Sequence, residues 1–383
     1  MRFEFSTANR ILFGPGTCAD VPSLAHDLGQ KAFLFTDSPE RASGLIANLY
    51  DNGISTNILK IKNEPDINSV LMAMRIFEES HSDFAIGFGG GSALDTGKAA
   101  IVLAANPGDP LAYLEVVGQG RTLEASPLPY IAIPTTAGTG SEVTRNAVIT
   151  IPAERIKVSL RSPLIIPRFA IVDPELTYSL PPEATASTGF DALTQVIEPF
   201  VSNTPSPLTD CLCRDGILRA GRSLLNAYQD GRDAAAREDM SLVSLYGGLS
   251  LANARLGAVH GLAGPLGGRY SAQHGSICAI LLPIVMEVNL RALRTRQPDS
   301  PVLNRFREVA QLLTGDPASN AEDAATCLFE MRNLMAIPTL SAYGLQSDDF
   351  PLLIEQAQHA SSMKGNPVQL TDKELMEILE KAA

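Results

Sequence analysis

The stretch "DFAIGFGGGSALDTGKAA" (residues 83–100) constrains this chain more than any other. An apolar run meets three consecutive glycines, Gly89, Gly90 and Gly91, and passes through Ser92 directly into a helical pattern. Glycines at such a junction let backbone N–H groups approach a pyrophosphate where a Cβ would clash, and a helix N-terminus favours an anion. Ser92 is expected to cap that helix and offer a hydroxyl. The pattern is not a P-loop, because Ser92 stands where a glycine is needed and Ala99 replaces the required Ser or Thr. Nor is it G-x-G-x-x-G, since Ser92 again takes the sixth position. A flexible turn is the bland alternative, but a strand–GGGS–helix context points to a nucleotide phosphate.

The surroundings read as an α/β domain. "KAFLFTD", "STNILKI", "DFAIGFGGG", "LPYIAIPTT" and "FAIVDPEL" are strand-like runs. Helical patterns lie between the first three, and such alternation implies βαβ units and a parallel sheet. After "LTYSLPPEATAST" (176–188) only helical spacing remains, and Pro181 and Pro182 are placed to begin a helix. The expected division is therefore an α/β dinucleotide-binding domain over residues 1–180 and an all-helical domain over 181–383.

A second hydroxyl-rich loop, "PTTAGTGSEVT" (134–144), also follows a strand and suggests a polar cleft lined by Thr135, Thr136, Thr139 and Ser141. Asp37 closes the first strand-like run. A carboxylate there can take ribose hydroxyls and repel a 2′-phosphate, favouring NAD over NADP, or it can simply form a turn. In "TGFDALTQVIEPF", Asp191 and Gln195 stand four apart, on one face of a helix. His260 and His274 follow in "GAVHGLAGPLGGRYSAQHG". A carboxylate with neutral imidazoles suits Fe²⁺ or Zn²⁺.

Composition sets limits. The formal net charge of −12 argues against nonspecific binding to nucleic acid or to an anionic membrane. The most apolar run, "SICAILLPIVMEVNL", is interrupted by Pro283 and reads as too short to span a bilayer. Five cysteines without a C-x-x-C pair, and a start without an apolar signal segment, suggest reduced thiols in a cytoplasmic protein.

Taken in order, GGGS with Asp95, "TTAGTGSE", "DALT" and the two histidine segments resemble the iron-containing (group III) alcohol dehydrogenase family. The similarity runs from "RILFGPG" at least to "HGSICAILLP". It implies a dehydroquinate synthase-like fold, with nicotinamide and metal held between an α/β and a helical domain, in a homodimer or larger homo-oligomer. Carried over residue by residue, Asp37, Gly89, Gly90, Gly91, Ser92, Thr135 and Thr136 match cofactor-binding positions, as do Asp95, Thr139, Lys157 and Glu64. Asp191, His260 and His274 match three of four metal ligands and act in catalysis through the metal. Gln195 stands where the family carries a histidine and is read as a weaker fourth metal ligand, a neutral oxygen at the same helical spacing, and Gly264 replaces a further histidine, removing one route for a proton.

The resemblance implies NAD(H)-dependent, reversible oxidation of a small alcohol to an aldehyde or ketone, with a metal polarising the substrate oxygen. Three alternatives stay open: a metal-independent reductase of an acidic ketone resembling maleylacetate reductases, a zinc-dependent diol oxidase resembling glycerol dehydrogenase, and a catalytically silent nucleotide-binding protein.

Overall fold

The computed structural model describes residues 2–114 and 117–383. Among them, eight strands and thirteen α-helices form two compact units. The first unit holds Phe5–Thr136 and Gly140–Thr177, and the second holds residues 2–4, Ala137–Thr139 and Tyr178–Ala383.

The first unit contains β1 (Arg10–Phe13), α1 (Val21–Ala25), β2 (Lys31–Thr36), α2 (Ser43–Asp51), β3 (Ser55–Lys60), α3 (Ile67–Ser80), β4 (Phe84–Gly89) and α4 (Gly91–Ala105). It continues through β5 (Tyr130–Pro134), β6 (Asn146–Ile151), β7 (Ile156–Arg161) and β8 (Phe169–Val172). Six strands make a parallel sheet in the order β1-β8-β5-β4-β2-β3. β2 explains why these strands read as continuous apolar runs. Ala32 and Leu34 point into one core cluster while Phe33 and Phe35 point into another, so both faces of the sheet are covered. Strand β1 and the antiparallel β6–β7 hairpin were not anticipated from the sequence. Val148 on that hairpin is exposed, and without a second buried face the hairpin carries a weaker apolar signal.

The order of the strands places a ligand site. β3 lies on one side of β2 and β4 on the other, so the direction of winding reverses there. Ligands of open α/β sheets bind beyond the carboxyl ends of strands at such a reversal. Pairing of Thr36 with Phe88, and of Gly89 with Pro134, brings the residues that follow β2, β4 and β5 to one edge of the sheet.

The second unit is helical: α5 (Pro182–Val201), α6 (Pro207–Gln229), α7 (Ala234–Asn253), α8 (Ala258–Arg269), α9 (His274–Arg296), α10 (Val302–Thr314), α11 (Ala321–Leu334), α12 (Phe350–His359) and α13 (Asp372–Ala382). Pro182 occupies the first turn of α5, where its missing N–H costs nothing. α9 corrects one expectation. It runs unbroken through Pro283 for 23 residues, long and apolar enough by length and composition to cross a membrane. Almost all of its apolar stretch is buried within the helical unit, as a core helix is.

Candidate metal and cofactor sites

Helix α5 is nearly buried along its length, so its polar residues are informative. Asp191, Gln195 and Glu198 recur at four- and three-residue spacing and form a polar stripe inside an apolar helix. Two neighbouring helices bring histidines to it. His260 lies in the first turn of α8, and its Nε2 is 3.4 Å from Asp191 Oδ1. His274 opens α9, with Nε2 3.8 Å from the same oxygen. The approach of α9 depends on Gly275. A Cβ there would lie 1.9 Å from the Ser187 carbonyl oxygen, so only glycine lets the two helices meet one turn before Asp191.

Cys278 stands one turn after His274 on α9. Its Sγ is 3.8 Å from Asp191 Oδ1. One ligand atom from each of Asp191, His260, His274 and Cys278 lies within 4.8 Å of all the others. Asp191 and Cys278 are buried, whereas the His274 side chain is 32% exposed and gives the cluster a solvent-facing side.

The charges are coupled. Burial alone would raise the Asp191 carboxyl, but the histidines and a hydrogen bond from Gln195 bring it below the usual range. Burial opposes a charged His260 ring, yet hydrogen bonds to Asp191 and Glu198 outweigh it and raise its pKa to about 9. Glu198 holds this ring in place. Its Oε2 is 2.7 Å from His260 Nδ1, and its Oε1 accepts from the Val259 N–H at 2.7 Å. Burial, followed by the Asp191 and Glu198 charges, pushes the Cys278 thiol well up.

Gln195 is buried beside Asp191 but faces it with its nitrogen. Nε2 donates to the Gly138 carbonyl at 3.5 Å, while Oε1 is buried without a hydrogen-bond partner. That oxygen lies on the side of Gly247 in α7, where a Cβ would be 3.4 Å from it.

In the α/β unit the glycine loop adopts the expected approach. Gly89 has φ +155°, and a Cβ on it would lie 2.8 Å from both Ala93 and the Asp37 carboxylate. Gly90 donates its N–H to Asp37 Oδ2 at 3.0 Å. Asp37 Oδ1 and Thr135 Oγ1 are buried without partners. Thr135 is fixed through its N–H to the Gly89 carbonyl, and Thr136 lies 3.3 Å from where a Gly90 Cβ would be. Ser92 departs from its expected part. Gly90 is the N-cap of α4, Ser92 lies inside the helix, and among the described residues no side chain caps this end. The extended glycine takes the cap position, so a side-chain oxygen does not compete there for the first-turn N–H groups.

The remaining expected cofactor residues fall into separate groups. Asp95 accepts from the Ser141 hydroxyl and, at 2.9 Å, from the Val148 N–H. Lys98 is fully buried and donates to the Ser141 and Asn146 carbonyls and the Thr144 hydroxyl, pinning the second loop to α4. Glu64 and Lys157 form an ion pair with each other. Thr139 packs with the helical unit, as does Gly138.

Sequence reasoning passed over Glu198, Cys278 and Lys98. Glu198 was legible as the third member of the 191–195–198 stripe, and Cys278 as a ligand type four residues after His274. Lys98 was passed over because its hydrogen-bond partners, the Ser141 and Asn146 carbonyls and the Thr144 hydroxyl, lie in a distant loop, although Asp95, three positions before it, is 3.3 Å away.

Residues 8–174 match the family model described as "Iron-containing alcohol dehydrogenase", and residues 185–383 match "Fe-containing alcohol dehydrogenase family, C-terminal". Alcohol dehydrogenase 4 of Saccharomyces cerevisiae (strain YJM789) is 36% identical over 377 residues, covering 97% of this chain and 96% of the relative. Among solved structures, an alcohol dehydrogenase from Oenococcus oeni superposes with a TM-score of 0.91 at 32% identity, covering all of both chains. A sulfoacetaldehyde reductase from Bifidobacterium kashiwanohense, solved in complex with NAD⁺, superposes with a TM-score of 0.87 at 28% identity, covering 100% of this chain and 99% of that one.

Proposed function

The chain belongs to the iron-containing alcohol dehydrogenase family, and we propose that it reversibly oxidises a small alcohol to an aldehyde or ketone, using NAD and a divalent metal. The observation that carries this reading is the convergence of Asp191, His260 and His274 from three helices on one partly open point. A carboxylate and two imidazoles, with one solvent-facing side, suit a catalytic ion that keeps a position for substrate.

The residues fit both groups. Asp191, His260 and His274 would hold the ion. The unpartnered Gln195 oxygen becomes a further donor only if half a turn of the amide exchanges it with the nitrogen that faces Asp191. The Gly89–Gly91 loop and the start of α4 suit a pyrophosphate. Asp37 Oδ1 is free to accept from a ribose hydroxyl and would repel a 2′-phosphate, which favours NAD over NADP. When bound, the nicotinamide supplies the hydride acceptor and the ion supplies Lewis-acid stabilisation of the substrate oxygen.

The chain's own residues supply orientation. Glu198 fixes the His260 ring so that Nε2 faces Asp191. Val259, next to His260, and Cys278, beside Asp191, are fully buried and keep water from the inner side of the cluster. Gly264 provides no proton acceptor, so release of the alcohol proton would use water, ribose hydroxyls or another side chain. A homodimer or larger homo-oligomer in the cytoplasm belongs to the same reading.

The test is NAD-linked turnover of short alcohols, aldehydes and vicinal diols by anaerobically purified protein, before and after chelation. Turnover lost on chelation and restored by Fe²⁺ or Zn²⁺ supports the reading. Turnover of carboxylated ketones that survives chelation would replace it with metal-independent reduction, and cofactor binding without turnover would replace it with a silent nucleotide-binding protein.

A further inference from the structure

We propose that Cys278 is a ligand of the same ion, making the site Asp–His–His–Cys and leaving Gln195 as a hydrogen-bond donor to Asp191; this rests on the metal-assisted reading above. Three observations converge. Cys278 is wholly buried one helical turn after His274, with its sulfur turned to Asp191. Its Sγ belongs to the same compact set as the carboxylate and both imidazoles. Gln195 presents its N–H to Asp191 and to the Gly138 carbonyl, so its oxygen is not aimed at the cluster.

The distances suit coordination. Bonds of about 2.3 Å to sulfur and about 2.0 Å to oxygen or nitrogen give tetrahedral edges of about 3.5 Å for S···O and about 3.3 Å for N···O. The corresponding separations are 3.8 Å for Cys278–Asp191, 3.4 Å for His260–Asp191 and 3.8 Å for His274–Asp191. The three pairs that meet at Asp191 come within a few tenths of an ångström of these edges, and every other pair of the set starts within 4.8 Å. On binding, the S–H bond breaks as the sulfur–metal bond forms, and the proton passes to solvent. A thiolate among the ligands moves the preference of the site towards zinc and cobalt, and away from magnesium or manganese. The competing account of Cys278 is a small apolar core residue.

Co²⁺ is the probe, added to the metal-stripped full-length chain, with cobalt content measured by elemental analysis. The wild type is expected to bind one Co²⁺ per chain with a thiolate-to-cobalt charge-transfer band in the near ultraviolet. Cys278→Ser should abolish the band and weaken Co²⁺ binding by at least about tenfold, the lower end of what losing a mere supporting contact costs. Gln195→Ala should keep the band. Stoichiometric Co²⁺ without the band, or a band that persists in Cys278→Ser, overturns the assignment while the metal-assisted reading stands. No bound Co²⁺ overturns both. Zinc K-edge absorption on the wild type needs no variant: a sulfur neighbour at about 2.3 Å supports the assignment, and an all-oxygen and nitrogen shell refutes it.

Discussion

Glu198→Gln tests whether a residue that never touches the reacting atoms sets the metal affinity. The wild-type carboxylate accepts twice, from the Val259 N–H through Oε1 and at His260 Nδ1 through Oε2, both at 2.7 Å. A glutamine of the same shape has one acceptor and one donor, so it cannot serve both neighbours. If its oxygen faces Val259, its NH₂ meets His260 Nδ1 and forces that nitrogen to accept. The ring proton then moves to Nε2, the atom that faces Asp191 and must be bare to hold a cation. If the amide is turned the other way, its NH₂ meets the Val259 N–H, and a first-turn donor of α8 is left buried without a partner, at about 1–3 kcal/mol. Either arrangement is expected to weaken Zn²⁺ binding by about 10–100-fold, or about 1.4–2.7 kcal/mol. The assay is competition for Zn²⁺ against a chromophoric chelator, with NAD⁺ affinity by calorimetry as the control that should not move. A folded Glu198→Gln protein that holds Zn²⁺ within about threefold of wild type would refute the reasoning.

Four further outcomes are expected. Glu142 is buried in the α/β unit, and its pKa rises to about 7, mainly through burial, with Lys98 opposing. The unfolded chain ionises near 4.5 while the folded one resists, so this residue's contribution to stability is fullest below pH 4.5, falls between 4.5 and about 7, and is flat above. Glu142→Gln should therefore raise stability at pH 8 by the order of 2 kcal/mol and leave it unchanged near pH 4, as urea denaturation at the two values would show. Gly275→Ala should cost about 3 kcal/mol or more, because the new Cβ would lie 1.9 Å from a backbone oxygen of α5; unchanged urea stability would show that the helices can part without penalty. Asp37→Ala should raise the ratio of kcat/KM for NADPH over NADH by at least about tenfold, and an unchanged ratio would remove Asp37 from cofactor choice. Gly264→His should fold normally, since nothing lies within 4 Å of the added Cβ, and should introduce an ionisation between about pH 6 and 8 into the kcat profile. A superimposable pH profile would place the proton route away from this helix.

The parts of this protein that the sequence alone determined are those with a local signature. The GGGS junction shows itself because a phosphate loop needs adjacent backbone freedom, and the Asp191–Gln195 pair because helical spacing puts neighbours on one face. Strands β2, β4 and β5 were legible because a sheet covered on both sides leaves unbroken apolar runs. The β6–β7 hairpin was not, since its exposed positions dilute that signal.

Tertiary structure decided what each candidate residue faces. The same helical spacing would let Gln195 offer either its oxygen or its nitrogen to Asp191, and only the Gly138 carbonyl, reached from 57 positions away in the chain, turned the nitrogen inward. Asp95 and Ser141 read as separate cofactor contacts until the fold joined them to each other. Cys278 stands one turn after His274 in the sequence, and became a neighbour of Asp191 only because Gly275 lets α9 rest against α5. Spacing specifies which residues share a face, whereas orientation and partnership depend on contacts between segments far apart in sequence, and those are written only in the packing.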